Sequence, residues 1–254
     1  MKKLCQRGAV TMKIAAVKSL VYKEFYMARK QLLIGTAVFL IFAVICVMVE
    51  VSFLTGNLAN LSDDIVGEIK TGIDFSVLLY PVLMAGLLTM FVAETSLKDE
   101  AVAWKRFCYA APASHIDFAV AKYAAVLITL LVEMVVSFAY AALLCRIMGV
   151  EFSAVHAAYI LTAVVLVALM AVLNQVGVLL FHTKDKAGLF MFGVLIIIAL
   201  IFAGIYRTGA GTELSKDMMD RIVMSWLPWL PVTIFVIPAA GCAVSAVLYR
   251  RREA

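Results

Sequence analysis

Residues 155–181 read VHAAYILTAVVLVALMAVLNQVGVLLF and contain no Asp, Glu, Lys or Arg. A helix needs about 20 apolar residues to cross the hydrocarbon core of a bilayer, so this stretch is long enough to span a membrane. A helix also satisfies its own backbone hydrogen bonds, which an open sheet in lipid cannot do. The stretch therefore predicts a transmembrane helix.

The rest of the chain has the same character. Hydrophobic residues make up 65% of the 254 residues and charged residues only 15%, whereas soluble domains are about half apolar and a quarter charged. This composition argues against a soluble domain, a disordered chain and a nucleic-acid-binding basic domain, and no strand alternation indicates a β-barrel. We predict an all-α polytopic membrane protein, a single domain over residues 1–254 with six transmembrane helices. The spans are 32–54, 74–93, 118–145, 155–181, 187–206 and 227–249.

The distribution of positive charge predicts the orientation of these spans. Most of the 22 Lys and Arg residues lie in the N-terminal arm, between spans two and three, after span four and in the C-terminal tail. The opposite loops carry only Lys70, Arg146, Arg207, Lys216 and Arg221. Both termini of this multi-pass membrane protein are therefore expected in the cytoplasm. Charges recur up to Lys30, so we expect no cleavable signal peptide, and Met12 remains an alternative start to Met1.

Two further segments are amphipathic. Over residues 13–31, apolar side chains recur at helical spacing and predict an interfacial helix that runs along the inner leaflet and turns into span one. A plain positively charged anchor is the alternative role. Over residues 213–226, Leu214, Met218, Ile222 and Trp226 share one face. They predict an outer helix that either covers an exit pathway or closes the outer end of the bundle.

A separate cytoplasmic helix is predicted within residues 96–123, SLKDEAVAWKRFCYAAPASHIDFAVAKY. Ser96 followed by Asp99 has the spacing of a capping box, and Pro112 cannot continue the helix, which gives a helix over 97–111. Ser114 followed by Asp117 repeats the capping signal before span three. The helix either covers the inner end of the bundle or meets a soluble partner.

The same tract resembles the signature of ATP-binding cassette permeases of the type-2 exporter superfamily. The residues that carry the resemblance are Asp99, Glu100, Trp104, Arg106, the Pro112 turn, Asp117, Val120, Lys122 and Tyr123. In that family the tract is the coupling helix, which lies in a groove of a separate ATPase subunit. The resemblance implies an ATPase-docking surface made of Asp99, Glu100, Trp104, Lys105, Arg106 and, on the 181–187 turn, His182, Lys184 and Asp185. Ala111 and Ala113 depart from the bulkier residues that the family often has there, which leaves the partner's identity open.

The function that this resemblance implies is export driven by ATP. Among family members, the compact size is similar to permeases that export amphipathic peptides, including the phenol-soluble modulin exporters of Gram-positive bacteria. The resemblance implies a bacterial plasma membrane and a second permease copy, which is identical or a close paralogue. It also implies contact with surrounding lipid and none with nucleic acid. The chain has no GxxxxGK[ST] phosphate loop, so ATP and Mg²⁺ are expected in the partner subunit. We expect no enzymatic activity, cofactor or metal site in this chain itself.

Polar residues inside the spans leave other functions open. Glu133 lies near the centre of span three, where an acid costs roughly 2.5–3.5 kcal/mol. With Glu50, Asn174 and Gln175 it marks a substrate path or subunit interface. The alternative for Glu133 is an inter-helical hydrogen bond made while it is protonated. An ion-coupled secondary transporter and a non-transporting scaffold or receptor remain the alternative functions.

Overall fold

The chain is almost entirely helical in the part that its computed structural model describes, and that part contains no strand. The described residues are 2–54, 80, 83, 86–95, 114–147, 149, 151–181, 185–194, 196–197 and 216–253. The main helices are α1 (Lys2–Leu54), α2 (His115–Ile147), α3 (Ala154–Phe181), α4 (Lys216–Trp226) and α5 (Leu230–Glu253).

Four of these helices are long and apolar enough to cross a membrane, so the chain is an all-α membrane protein. Their apolar stretches are Ile14–Met48, Ile116–Ile147, Ala154–Phe181 and Leu230–Arg251. They coincide with predicted spans one, three, four and six. Predicted spans two and five are helical at 86–93 and 187–194, and about half of each lies outside the described residues. The count of six spans and the orientation of the termini therefore stay predictions.

The N-terminal segment and the first span form one helix. The turn predicted near residue 31 is not present, because α1 continues without interruption from Lys2 to Leu54 over 53 residues. At about 1.5 Å per residue this helix is roughly 80 Å long, far longer than a bilayer core. The residues around position 31 are good helix formers, and a change from charged to apolar surface does not itself break a helix.

The apolar side chains of the 13–31 segment do not all face one environment. Ala28 is buried, and Val21 and Phe25 pack against the same core cluster, which also includes residues of α2, α3 and α5. Ile14, in contrast, is 66% exposed. Part of the predicted membrane-facing stripe thus contacts protein, while an interfacial position for the segment stays a prediction.

Local capping fixes the starts of α2 and α3. The Asp117 carboxylate accepts hydrogen bonds from the Ser114 backbone N–H (2.9 Å) and hydroxyl (2.8 Å), and the Asp117 N–H donates back to Ser114 Oγ at 3.3 Å. The predicted capping box is therefore confirmed. A similar arrangement starts α3, where the Ser153 N–H donates to His156 Nδ1 at 3.1 Å. This contact gives His156 a structural role at the helix terminus.

Small residues allow the central helices to pack closely. A Cβ atom on Gly241 of α5 would lie 2.6 Å from Val172 Cγ1 of α3 and 2.7 Å from the Tyr123 ring of α2. Close approach at small residues is the usual way in which helices associate in membranes, where lipid is as apolar as the side chains. Gly241 therefore fixes the spacing of α2, α3 and α5.

The predicted outer helix is present as α4, from Lys216 to Trp226, and it packs against α3. Ile222 and Trp226 are exposed, whereas Val223 is buried and Leu227 packs against the core. The side of α4 that contacts the bundle is therefore the one with Val223, next to the apolar face that the sequence singled out. The position of α4 on the outer side of the membrane stays a prediction.

Candidate functional site

Most of the predicted ATPase-docking residues lie outside the described part of the chain. These are Asp99, Glu100, Trp104, Lys105, Arg106, His182 and Lys184. Asp185 is described and lies exposed at the start of the helical segment 185–194. The two positions that flank the predicted 97–111 helix, Thr95 and Ser114, are described, and they lead to the site below.

A buried polar cluster lies where the described chain stops at Thr95 and near where it resumes at Ser114. We call Glu24, Thr95 and Lys122 the basal cluster. The Lys122 ammonium lies 3.3 Å from both carboxylate oxygens of Glu24. The Thr95 hydroxyl lies within hydrogen-bond distance of Glu24 Oε2 and of the Val92 carbonyl oxygen, at 2.7 Å from the latter. With one proton, it donates to one of these oxygens at a time.

The basal cluster is shielded from solvent. Glu24 is 2% exposed and Lys122 is 6% exposed. Removing one member of a buried ion pair typically costs about 3–5 kcal/mol, because the remaining charge is left uncompensated. Glu24 belongs to α1, Lys122 to α2, and Thr95 to the end of the 86–95 segment. The cluster therefore holds three separate parts of the chain together.

Lys122 is the first of a row of polar side chains on one face of α2. The row continues toward the C-terminal end of α2 at spacings of three, four or seven residues. All its members are buried: Lys122, Thr129, Glu133, Ser137 and Tyr140. Such spacings place side chains on the same face of a helix. We call these five residues the polar row. It crosses much of the length of α2 within the bundle.

The polar row faces the 80–95 region as well as α1. The Thr89 hydroxyl donates to Glu133 Oε2 at 2.7 Å, and the Tyr80 ring stacks on Tyr140 at 3.7 Å between centroids. Glu133 itself is 1% exposed, near the middle of α2. Among the described residues, Glu133 Oε1 and the Ser137 hydroxyl have no hydrogen-bond partner. Glu133 thus faces the bundle interior, and its role on a substrate path stays a prediction.

The other predicted intramembrane residues lie at a different depth. Asn174 and Gln175 are buried on α3. Ala119 shares a cluster with Leu179, and Leu144 shares one with Ile160, so α2 and α3 are antiparallel. Gln175 lies near the C-terminal end of α3, the end that is beside the start of α2, whereas Glu133 lies near the middle of α2. Glu50 belongs to α1, and its side chain is not among those described.

Sequence reasoning missed Glu24 altogether. It used Lys122 for the positive charge near the cytoplasm and for the family resemblance, but not as a partner of Glu24. A signal for Glu24 does exist. Glu24 follows Val17 and Val21 and precedes Ala28 at spacings of three and four. Glu24 therefore belongs to the face of α1 that packs on the bundle. An acid on such a face requires a partner. The identity of that partner depends on tertiary contacts between distant residues.

The site contains both charged and neutral polar side chains. It combines one buried ion pair, one buried acid and several hydroxyl groups, and within the described residues no group of three His, Cys, Asp or Glu side chains is placed to hold a metal ion. Buried polar networks of this kind rigidify the elements that they join. The chain matches none of the protein-family models and none of the curated proteins with which it was compared.

Proposed function

We propose that this chain is the permease subunit of an ATP-driven exporter that moves amphipathic peptides or lipid-like molecules out of the cytoplasm or inner leaflet. ATP hydrolysis takes place in a separate cytoplasmic ATPase subunit. Two permease copies, identical or closely related, form the translocation route. The resemblance of residues 94–123 to type-2 exporter permeases supports the export function, and the basal cluster supports the mechanism.

The mechanism rests on one observation: the Glu24 carboxylate contacts the chain both before and after the predicted coupling helix. Thr95 immediately precedes residues 96–113, and Lys122 follows them in the second turn of α2. Both contact Glu24. A force applied to the 97–111 helix therefore reaches α1, α2 and the 86–95 segment together, as a rigid-body displacement requires.

Docking of the ATPase is the step that the sequence resemblance assigns to Trp104 and Arg106. Affinity purification of the chain from its native membranes is expected to bring down a protein with a GxxxxGK[ST] loop and ATP-hydrolysing activity. Trp104→Ala and Arg106→Glu are expected to reduce this co-purification without abolishing membrane insertion. Arg250→Gln, an exposed cation at the end of α5, is the control. Equal co-purification with all three variants would count against docking through 97–111.

A second candidate function is ion-coupled transport, and one observation favours it. Glu133 is a buried acid at mid-span with a single hydroxyl donor in the described part of the chain. Intramembrane acids of this kind occur in proton relays. Transport that persists without ATP and is lost in Glu133→Gln would favour this function over the exporter. Absence of any transport would leave the scaffold or receptor.

A further inference from the structure

The side of α1 that faces away from the bundle carries aromatic and cationic side chains, which the exporter mechanism does not use. Helical spacing places Lys18, Tyr22, Tyr26, Arg29 and Leu33 on one side, opposite the face with Glu24 and Ala28, and Lys30 lies beside them. All are exposed; Tyr22 is 70% exposed and Tyr26 is 51% exposed. This surface contains the aromatic and cationic side chains that membrane proteins place at the headgroup level.

The position of the membrane boundary follows from the change in this surface along α1. From Leu33 to Met48 the exposed large side chains are all apolar: Leu33, Ile34, Val38, Leu40, Ile41, Phe42, Val44, Ile45 and Met48. In a membrane-spanning helix, such a surface contacts acyl chains. The boundary with the headgroup layer therefore lies at about Lys30–Leu33. Tyr26 is four residues earlier, roughly 6 Å along the axis, which is comparable to the thickness of that layer.

Of the two cations at this boundary, Arg29 is positioned by an aromatic ring. The Arg29 guanidinium carbon lies 4.0 Å from the centroid of the Tyr26 ring, and Tyr22 stacks on Tyr26 with centroids 6.3 Å apart. No ion pair joins Arg29 or Lys30 to a carboxylate of the described residues. Contact through the face of the guanidinium leaves its N–H edge available, and that edge suits the bidentate binding of a phosphate.

An open cleft of about 480 Å³ lies at the same place. The described residues that line it are Tyr26, Met27, Arg29, Lys30 and Gln31. The Gln31 side-chain amide points to Glu94 Oε2 at 3.5 Å, so the cleft adjoins the end of the 86–95 segment. The cleft therefore combines an aromatic wall, continuity with the acyl-contacting surface of α1 and two cations that form no ion pair with the described residues.

We propose that this cleft binds the headgroup of one anionic phospholipid, with the phosphate on Arg29 and Lys30 and the acyl chains along Leu33 and the apolar surface beyond it. Opposite charge selects an anionic lipid over a zwitterionic one, and the apolar continuation selects a lipid over free phosphate. The proposal is independent of any ATPase partner, so the test needs only the full chain.

The test is native mass spectrometry of the purified chain, titrated with phosphatidylglycerol or with phosphatidylcholine of the same acyl chains. We expect the unmodified chain to bind phosphatidylglycerol about thirtyfold more tightly than phosphatidylcholine, on the basis of the usual contribution of two interfacial cations. Arg29→Gln combined with Lys30→Gln should abolish this preference. Arg250→Gln combined with Arg251→Gln, with the same loss of charge at exposed positions of α5, should retain it.

A milder variant, Tyr26→Leu, keeps both charges and removes the ring that positions Arg29. We expect it to reduce the preference several-fold, which distinguishes a built site from simple charge attraction. Equal preference in the Arg29/Lys30 variant and in its control would overturn the proposal. So would displacement of phosphatidylglycerol by millimolar inorganic phosphate, since the site would then take a free anion.

Discussion

The Lys122 ammonium lies 3.3 Å from each carboxylate oxygen of Glu24, although the two residues are 98 positions apart in the sequence. The contact closes a loop of chain that includes the whole of residues 96–113. Thr95, at the other end of that stretch, contacts the same carboxylate. One acid of α1 therefore contacts both Thr95, which precedes the predicted coupling helix, and Lys122, which follows it.

The first prediction concerns the stability of this ion pair. Glu24→Gln should lower the free energy of unfolding by about 3–5 kcal/mol, because it removes the carboxylate that the buried Lys122 ammonium contacts. Lys122→Met should cost less, because the Lys23 ammonium stays 3.3 Å from Glu24 Oε1. The double variant should lose less than the sum of the two, since it leaves neither charge uncompensated. Reversible unfolding in mixed detergent micelles measures all three.

Lys23 provides the control for this cycle. Its ammonium also lies 3.3 Å from Glu24 Oε1, but its side chain is partly accessible to solvent. Lys23→Met should therefore lower stability by less than about 1 kcal/mol, as for partly exposed ion pairs. If the losses of unfolding free energy in Glu24→Gln and Lys122→Met were strictly additive, the pair would not be a coupled unit. A loss in Lys23→Met equal to that in Lys122→Met would show the same.

The second prediction concerns helix spacing at Gly241. Gly241→Ala places a methyl group within 2.7 Å of side chains on both α2 and α3, and overpacking of this kind should cost about 1–3 kcal/mol. Gly188→Ala is the matched control, because a Cβ there meets no described atom within 4 Å. Thermal unfolding of the two variants in the same detergent compares them. A midpoint for Gly241→Ala at or above that of Gly188→Ala would contradict the close packing.

The third prediction separates the structural and functional roles of Glu133. In Glu133→Gln the amide oxygen still accepts the Thr89 hydrogen bond, so we expect a stability change below about 1 kcal/mol. Thr89→Val removes the donor and should cost about 1–3 kcal/mol. For export, ATP-driven transport should persist in Glu133→Gln. Loss of transport in a variant of unchanged stability would instead indicate proton coupling.

The sequence predicted features that local rules determine. The Ser114–Asp117 cap needs only four consecutive residues, and four of the six predicted spans depend on apolar length alone. The continuity of α1 was missed because a boundary was inferred from surface polarity, although no helix-breaking residue is present there. The Glu24–Lys122 pair was missed because nothing in a local pattern links residues so far apart. The buried side of α4, at Val223, depends on where α3 lies.

The fourth prediction concerns orientation. Single cysteines introduced by Lys98→Cys and Asp64→Cys, in a chain whose native cysteines are replaced, should react with a membrane-impermeant thiol reagent from opposite sides. Position 98 should label only from the cytoplasm and position 64 only from outside, because most Lys and Arg residues lie on the predicted cytoplasmic side. Labelling of both from the same side would rule out the predicted topology.

The most direct test of the central claim is ATP-dependent export by vesicles that contain the permease with its ATPase, compared between the unmodified chain and Glu24→Gln. If the basal cluster transmits force from 97–111 to the bundle, Glu24→Gln should keep the complex and hydrolyse ATP at a similar rate while export per ATP falls sharply. Export per ATP that is unchanged in Glu24→Gln, or no ATP-dependent export by the unmodified chain, would contradict the account.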